Sequence, residues 1–426
     1  MKRLPAVLAI AVVARMAFHA VFLPAYEGPD EPHHLARILA FARGPLRQAF
    51  VGAGVDAAII ASVKAYPCAA ALARAYGCPA FGSGPAAFDL LRPTPRLQPT
   101  AGTSNPESNQ PPLYYFLSGA LLRVGWPGAS PSAALLILRL LSVALVAVAV
   151  FWPLRLLAAD RPPGIAVAAL LALLLPGASE AFARCSNDAA VFLWSALVLL
   201  ALERKTSTAK MTALLATGPL LKLTAIPIVV FGVVALFREG RRRAAVAGAV
   251  CSLAVFPVQL LRGWNWGGTV ELNEPTTPIG EPFLVAAVGL LRSGYAFVKT
   301  TFWVGGWSLL RPPRILAALY MLLLLLTLVC SRPRLRPRRR AAHLAALGAA
   351  CGGFFAFAIA NRRFYGDWGG VAGWYLWGWT PWIAVAASDL ATIPTRAGRV
   401  LLWLEASFVL AANIAWLAAH GRLYGW

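Results

Sequence analysis

Leu4–Leu23 reads LPAVLAIAVVARMAFHAVFL, an apolar run carrying one arginine and one histidine between Lys2-Arg3 and Pro24. At about 1.5 Å per residue it would cover roughly 30 Å as a helix, the thickness of a bilayer's hydrocarbon core. No small-residue cleavage site follows; Pro24-Ala25-Tyr26-Glu27 does. The run therefore reads as a first membrane span with a cytoplasmic N-terminus, not as a signal peptide. The rest of the chain has the same character: of 426 residues 59% are hydrophobic and 13% charged, with mean hydropathy +0.66. A soluble domain carries about 25% charged residues, so an ordinary cytosolic enzyme, a disordered chain and a coiled coil are excluded. Lys and Arg number 39 against 17 Asp and Glu, a net charge of +22. A solvated nucleic-acid patch does not alternate with long apolar runs, so no nucleic-acid partner is expected. The basic excess reads instead as cytoplasmic loops of a polytopic membrane protein.

Further apolar runs lie at about 133–154, 164–182, 189–203, 211–237, 243–262, 314–331, 342–360, 371–388 and 400–420. Arg332, Arg334, Arg336, Arg338, Arg339 and Arg340 fill one gap, and Arg238, Arg241, Arg242 and Arg243 another. Arg155 with Arg161, and Arg204 with Lys205 and Lys210, fit the same cytoplasmic side. The run 211–237 has a basic cluster at each end, so it must enter and return, and Gly218-Pro219 and Lys222 near its middle predict two short or broken helices. Pro111–Gly125 is too short and interrupted for a span and reads as a helix on the outer face. The expectation is an all-α, single integral membrane domain over 1–426 with roughly 11 transmembrane helices. Outward loops are expected at 24–132 (with juxtamembrane helices) and 263–313, and short ones at 183–188 and 361–370. No phosphate-binding GxxxxGK[ST] loop is present, which places any chemistry outside.

The densest polar signal is Tyr26-Glu27-Gly28-Pro29-Asp30-Glu31-Pro32-His33-His34, directly after the first span. Pro32 suits the first turn of a helix through Arg43, with Asp30 and Glu31 at its entry. The bland reading is a capped juxtamembrane helix with a solvated charge cluster. The functional one is a carboxylate base or metal ligand beside a lipid-borne substrate. Asn109-Gln110-Pro111-Pro112-Leu113-Tyr114-Tyr115 reads as an aromatic anchor after a helix-starting proline pair, and in Arg184-Cys185-Ser186-Asn187-Asp188 either Ser186 or Asn187 suits a helix cap. Thr300–Trp307 and Gly369–Tyr375 are rich in Trp, Tyr and Gly, which fits a headgroup belt or sugar stacking. Cys68 and Cys78 are placed for a local disulfide if their loop meets an oxidising compartment. Cys185, Cys251, Cys330 and Cys351 read as small packing residues.

Taken in order, Pro29-Asp30-Glu31-Pro32-x-His34, Gln110-Pro111-Pro112-Leu113-Tyr114-Tyr115, Ser186-Asn187-Asp188-Ala189, Leu221-Lys222-Leu223-Thr224-Ala225, Thr301-Phe302-Trp303 with Gly306-Trp307, and Gly373-x-Tyr375-Leu376 resemble a bacterial family of multi-spanning membrane proteins. That family has no assigned function and belongs with the glycosyltransferase C (GT-C) superfamily. The motifs span residues 29 to 376. Relatives read Gly-Arg-Tyr where this chain has Gly373-Trp374-Tyr375, so a late arginine is missing.

The resemblance implies a GT-C-like fold and a sugar transferase of the bacterial inner membrane. Its donor would be a polyprenyl-phosphate sugar on the outer leaflet, and its acceptor an outward-facing glycan, lipid or protein. It puts the catalytic carboxylate at Asp30, with Glu31 beside it and Asp188 as the second acidic position, and implies inversion at the anomeric carbon. The departing phosphate needs cations, for which Lys222, Arg92, Arg96, Arg362 and Arg363 are candidates. His33, His34, Gln110, Tyr114, Tyr115, Asn187, Trp303, Trp307 and Tyr375 are candidate substrate contacts, with one of the two histidines on the solvent side. No cofactor is firmly implied; Asp30, Glu31 and Asp188 are a candidate site for a divalent cation, Mg2+ or Mn2+. The rival readings are a transporter or lipid-carrier flippase, whose ionisable residues sit on broken helices, and a catalytically silent partner with the same fold.

Overall fold

A computed structural model describes residues 4–28, 30–46, 49, 54–65, 105, 107, 110–255, 283–303, 312–333, 339–365 and 373–424. The chain is all-α as expected; the described strands are two residues each, Arg332-Pro333 pairing antiparallel with Ala391-Thr392. The helices are α1 (Leu4–Phe22), α2 (Glu31–Arg43), α3 (Ala57–Ala65), α4 (Leu113–Gly125), α5 (Pro131–Ala149) and α6 (Arg155–Ala159). They continue with α7 (Pro163–Leu173), α8 (Pro176–Ala183), α9 (Asp188–Glu203), α10 (Thr208–Leu221), α11 (Ile226–Arg238) and α12 (Arg242–Leu253). The last are α13 (Phe283–Phe302), α14 (Arg314–Cys330), α15 (Arg340–Tyr365), α16 (Thr380–Leu390) and α17 (Thr395–Tyr424).

Among these residues four helical stretches are long and apolar enough to cross a membrane: Leu4–Phe22, Pro131–Ala159, Arg340–Ile359 and Thr395–Arg422. The pair α7 and α8 makes a fifth if its 69° bend is counted as one broken span. Their outward faces are apolar, as are those of α14, where Leu328 and Val329 are each 72% exposed. Water does not tolerate contiguous patches of that kind, and they fit a membrane-embedded chain. Residues 263–313, expected as a loop, contain the 20-residue α13. Arg292 and Lys299 interrupt its apolar pattern, so composition alone hid it. Cys251 and Cys351 are exposed, not packed inside the chain; Cys185 is buried.

α9 is the axis that orders the rest. Its 16 residues span about 24 Å, with Asp188 first and Glu203 last. At the Glu203 end the basic gaps meet. Glu203 pairs with Arg161 at 2.9 Å and Arg339 at 3.1 Å, Arg339 reaches Glu239 at 2.7 Å, and Arg241 donates to the Thr206 carbonyl. α10 starts there, capped by Ser207, whose hydroxyl accepts from the Lys210 amide. It packs so closely on α9 that a Cβ at Gly218 would lie 2.3 Å from the Trp194 ring, which only glycine avoids. The chain leaves α10 at Lys222 in extended conformation, turns through a short 3-10 segment, Leu223–Ala225, and returns as α11 to Arg238. The 211–237 run is thus two helices broken at Lys222, with both outer ends among the basic residues and the tip at the Asp188 end.

Candidate active site

α2 begins where the first-loop motif predicts. Pro32 lies in its first turn, Glu31 faces the positive end of its dipole, and the helix stops at Gly44, whose amide donates to the Ala40 carbonyl. The entry turn is strained: Tyr26 (φ 70°) and Asp30 (φ 60°) both adopt left-handed backbone, tolerable for aspartate but costly for a buried tyrosine. The helix is not a solvated face. Residues Glu31 to Leu39 are all buried, His33 and His34 included, so neither histidine faces solvent. α4 and α5 cover it; Asn105 donates to the His33 carbonyl, and Arg37 donates to the Gln110 carbonyl at 2.7 Å.

Adjacent carboxylates have opposite fates. Glu31 accepts a two-point grip from Arg139 on α5, at 2.8 and 2.5 Å, plus the Cys185 amide at 2.9 Å and the Gly28 amide at 3.1 Å. Burial pushes its pKa up, but the Arg139 charge and these bonds outweigh burial and hold it below the usual carboxylate value. Its oxygens are spent, and it ties α2, α5 and the turn before α9 together. Asp30 is only part-buried, and its side chain makes no hydrogen bond or ion pair among the described residues.

Asp188 is the hub of the cluster. Its Oδ1 meets Lys222 Nζ at 2.5 Å and its Oδ2 meets Arg184 at 2.8 Å, with the Ser186 hydroxyl donating at 3.2 Å. All three charged groups are buried. Two cations share this one carboxylate, and the Asp30 charge acts on Arg184 as well; a buried site keeps such cations only if they are hydrogen-bonded or ready for an anion. Lys222 also stands 4.9 Å over the Tyr375 ring, and Asn187, the residue before α9, donates to the Leu221 carbonyl at 3.2 Å. Asn187 makes no side-chain cap bond, whereas the Ser186 hydroxyl accepts from the Asp188 amide at 3.4 Å, so of the two cap candidates it is Ser186 that meets a backbone N–H at the start of α9.

His34 joins both groups. Its Nδ1 lies 2.9 Å from the Tyr115 hydroxyl, which donates to Glu107 at 2.5 Å. Burial drives its pKa down to about 3; Asp30 and Asp188 oppose this, while Lys222 and Arg184 reinforce it. His34 is therefore neutral at neutral pH, its contact with Glu107 at 3.3 Å is not an ion pair, and the network puts its proton on Nδ1, leaving Nε2 as an acceptor. Burial lowers His33 as well, against Asp30 and Glu107. Tyr114 packs its buried ring on Tyr115.

The later motifs close the same end. The Gly373 amide donates to Thr300 at 2.6 Å, and a Cβ on Gly373 would fall 2.0 Å from the Phe297 carbonyl, docking the 3-10 turn Gly373–Trp379 on the end of α13 beside buried Trp303. The Ser195 hydroxyl on α9 donates to Gly378 O at 2.9 Å. Asp30, Glu31, His33, His34, Gln110, Tyr114, Tyr115, Asn187, Asp188, Lys222, Trp303 and Tyr375 thus belong to one end of the bundle. Arg362 is half-buried near the end of α15. Arg92, Arg96, Cys68, Cys78, Trp307 and the side chains of Arg363 and Trp374 lie outside the described residues.

The divalent-cation expectation does not fit this geometry. Glu31 and Asp188 are already neutralised by Arg139, Arg184 and Lys222, and the described residues contain no group of three His, Cys, Asp or Glu placed to hold a metal ion. Arg139, Arg184 and Glu107 were not expected at the site. Arg139 stands alone in an apolar run, and Glu107 in a polar loop without a motif, so only Arg184, beside Asn187-Asp188, carried a local hint. No family model matches the chain, and neither a curated protein nor a solved structure matches it; the functional reading rests on these side chains.

Proposed function

We propose that this chain is a GT-C-type membrane glycosyltransferase that moves a sugar from a polyprenyl-phosphate donor to an outward-facing glycan, lipid or protein acceptor, with inversion. The observation that carries the reading is an Asp30 carboxylate with no hydrogen bond or ion pair among the described residues, close enough to the buried Arg184–Asp188–Lys222 cluster for its charge to act on Arg184. In this scheme Asp30 accepts the proton of the acceptor hydroxyl, whose oxygen forms the new bond to the anomeric carbon as the bond to the carrier phosphate breaks. The phosphate leaves as an anion and needs cations instead of a proton donor, which Lys222 and Arg184 supply while Asp188 fixes them. Glu31 and Arg139 position the entry turn. The segregation of basic gaps to the Glu203 end of α9 supports a cytoplasmic N-terminus and an outward site in a bacterial inner membrane; the crossing count of about eleven is part of the proposal.

Asp30→Asn, purified into lipid nanodiscs with a polyprenyl-phosphate sugar, is expected to keep its melting temperature and lose transfer by at least about 100-fold. Unchanged transfer would overturn the assignment. The lipid-carrier flippase keeps one observation in its favour, the buried Lys222 at a helix break; uphill uptake into sealed vesicles with no donor consumed would select it. Donor binding without turnover in the wild type would instead mark a silent partner.

A further inference from the structure

At the other end of α9 a cavity of about 540 Å³ opens between the end of α11, the turn before α12 and the start of α15, lined by Lys205, Arg238, Arg241, Arg339 and Arg340 with Glu239 as the one carboxylate among the described lining residues. We propose that this cavity binds the phosphate headgroup of an anionic membrane lipid.

Three observations carry the proposal. Five cations face one lining carboxylate, and that carboxylate is already held by Arg339 at 2.7 Å. The positive ends of two helices lie at the cavity: α15 begins in its lining at Arg340 and α12 begins one residue after the lining Arg241, neither has an acidic residue in its first turn, and both start with arginine. Cations at helix N-termini oppose the dipole, so the arrangement costs free energy until an anion sits between them. Finally, Arg241 keeps a buried Nη1 with no hydrogen-bond partner, an unmet donor that a phosphate oxygen would satisfy.

A lipid, not a free anion, is favoured by the walls. Ala235, Ala341 and Ala342 make the floor apolar, and the neighbouring helices carry outward apolar side chains, Phe237 on α11, Val246 on α12 and Leu344 on α15, each more than half exposed. Acyl chains can lie along these faces while the headgroup enters the cavity. Basic pockets between membrane helices recognise anionic lipids by this chemistry. The site is about 24 Å from Asp188 along α9 and takes no part in the proposed transfer.

The test uses the full-length protein in a neutral detergent, with lipid adducts counted by native mass spectrometry. Dioleoylphosphatidylglycerol is expected to bind at least about 10-fold more tightly than dioleoylphosphatidylcholine. Arg241→Gln with Arg340→Gln should abolish the preference, whereas Arg204→Gln with Arg243→Gln, which removes the same charge outside the cavity lining, should preserve it. Glu239→Gln removes the one carboxylate among the described lining residues and should tighten the adduct, so the proposal stays testable if the double arginine variant fails to fold. Equal binding of the two lipids, equal loss in both double variants, or a Glu239→Gln adduct no tighter than wild type would each overturn it. Full displacement of the lipid by millimolar inorganic phosphate would assign the cavity to a free anion and overturn the lipid proposal.

Discussion

Arg139→Met tests the reasoning behind the site most directly. The Arg139 and Glu31 side chains are 3% and 0% exposed, so the substitution leaves a carboxylate in the interior with no cation. It also strips the partner from the Leu23 and Pro24 carbonyls at 2.5 and 2.9 Å. Removing one member of such a buried pair costs about 3–5 kcal/mol, or two to three and a half powers of ten in the unfolding equilibrium at about 1.4 kcal/mol each. Adding Glu31→Gln removes the stranded charge and should recover more than half of the loss. The pH dependence carries its own sign. In the wild type the Glu31 pKa is depressed, so its contribution is complete at neutral pH and disappears as pH falls through the folded value. In Arg139→Met only the Cys185 and Gly28 amides still oppose burial, the largest influence, so the folded pKa rises and stability is lost as pH rises. The variant's deficit should therefore shrink on acidification. Unfolding in mixed dodecyl maltoside and sodium dodecyl sulfate micelles, followed by tryptophan fluorescence between pH 4 and 8, measures each quantity. A deficit below about 1 kcal/mol, or additive losses in the double variant, would refute the claim that Glu31 and Arg139 act as one buried pair.

Two further outcomes follow from the same network. The unfolded chain protonates His34 below about 6.5 and the folded chain only near 3, so acidification across that interval should cost the wild type about 1.4 kcal/mol per pH unit. His34→Gln should reduce this slope in melting temperature against pH, leaving the part that His33 contributes, and an unchanged slope would rule out a neutral buried imidazole at His34. At Gly28, an added Cβ would lie 2.5 Å from Glu31 Cδ and 2.9 Å from Arg184 Cβ. Gly28→Ala should therefore destabilise by about 1–3 kcal/mol; a variant that melts like the wild type would show that the entry turn gives way freely.

Much of this was legible from short patterns. Gly218-Pro219 and Lys222 marked the broken helix pair, because a proline and a stranded cation disrupt an apolar run in ways composition registers. The first-loop motif located the start of α2, and the basic gaps announced a common end of the bundle. Partnership was not legible. Asp30 and Glu31 are neighbours with the same chemistry, and only Arg139, more than a hundred residues further on, decides that one is consumed and the other left open. The histidines looked half-solvated because α2 is polar; their burial depends on α4 and α5 closing over it. α13 was missed because two charges in twenty residues blur an apolar signal that tertiary packing tolerates.

α9 has a mechanical consequence. Sliding it by one residue would turn its side chains by about 100° and break ion pairs at Asp188 and Glu203 together, so the helix behaves as a strut pinned at both ends. Whatever compliance a working cycle needs must be found beside it. The α10–α11 hairpin can supply it, since its backbone ladder is already interrupted at Lys222. In that arrangement Lys222 is a fulcrum as well as a charge: a tilt of the hairpin changes the distance between its ammonium and Asp188 while the strut stays still.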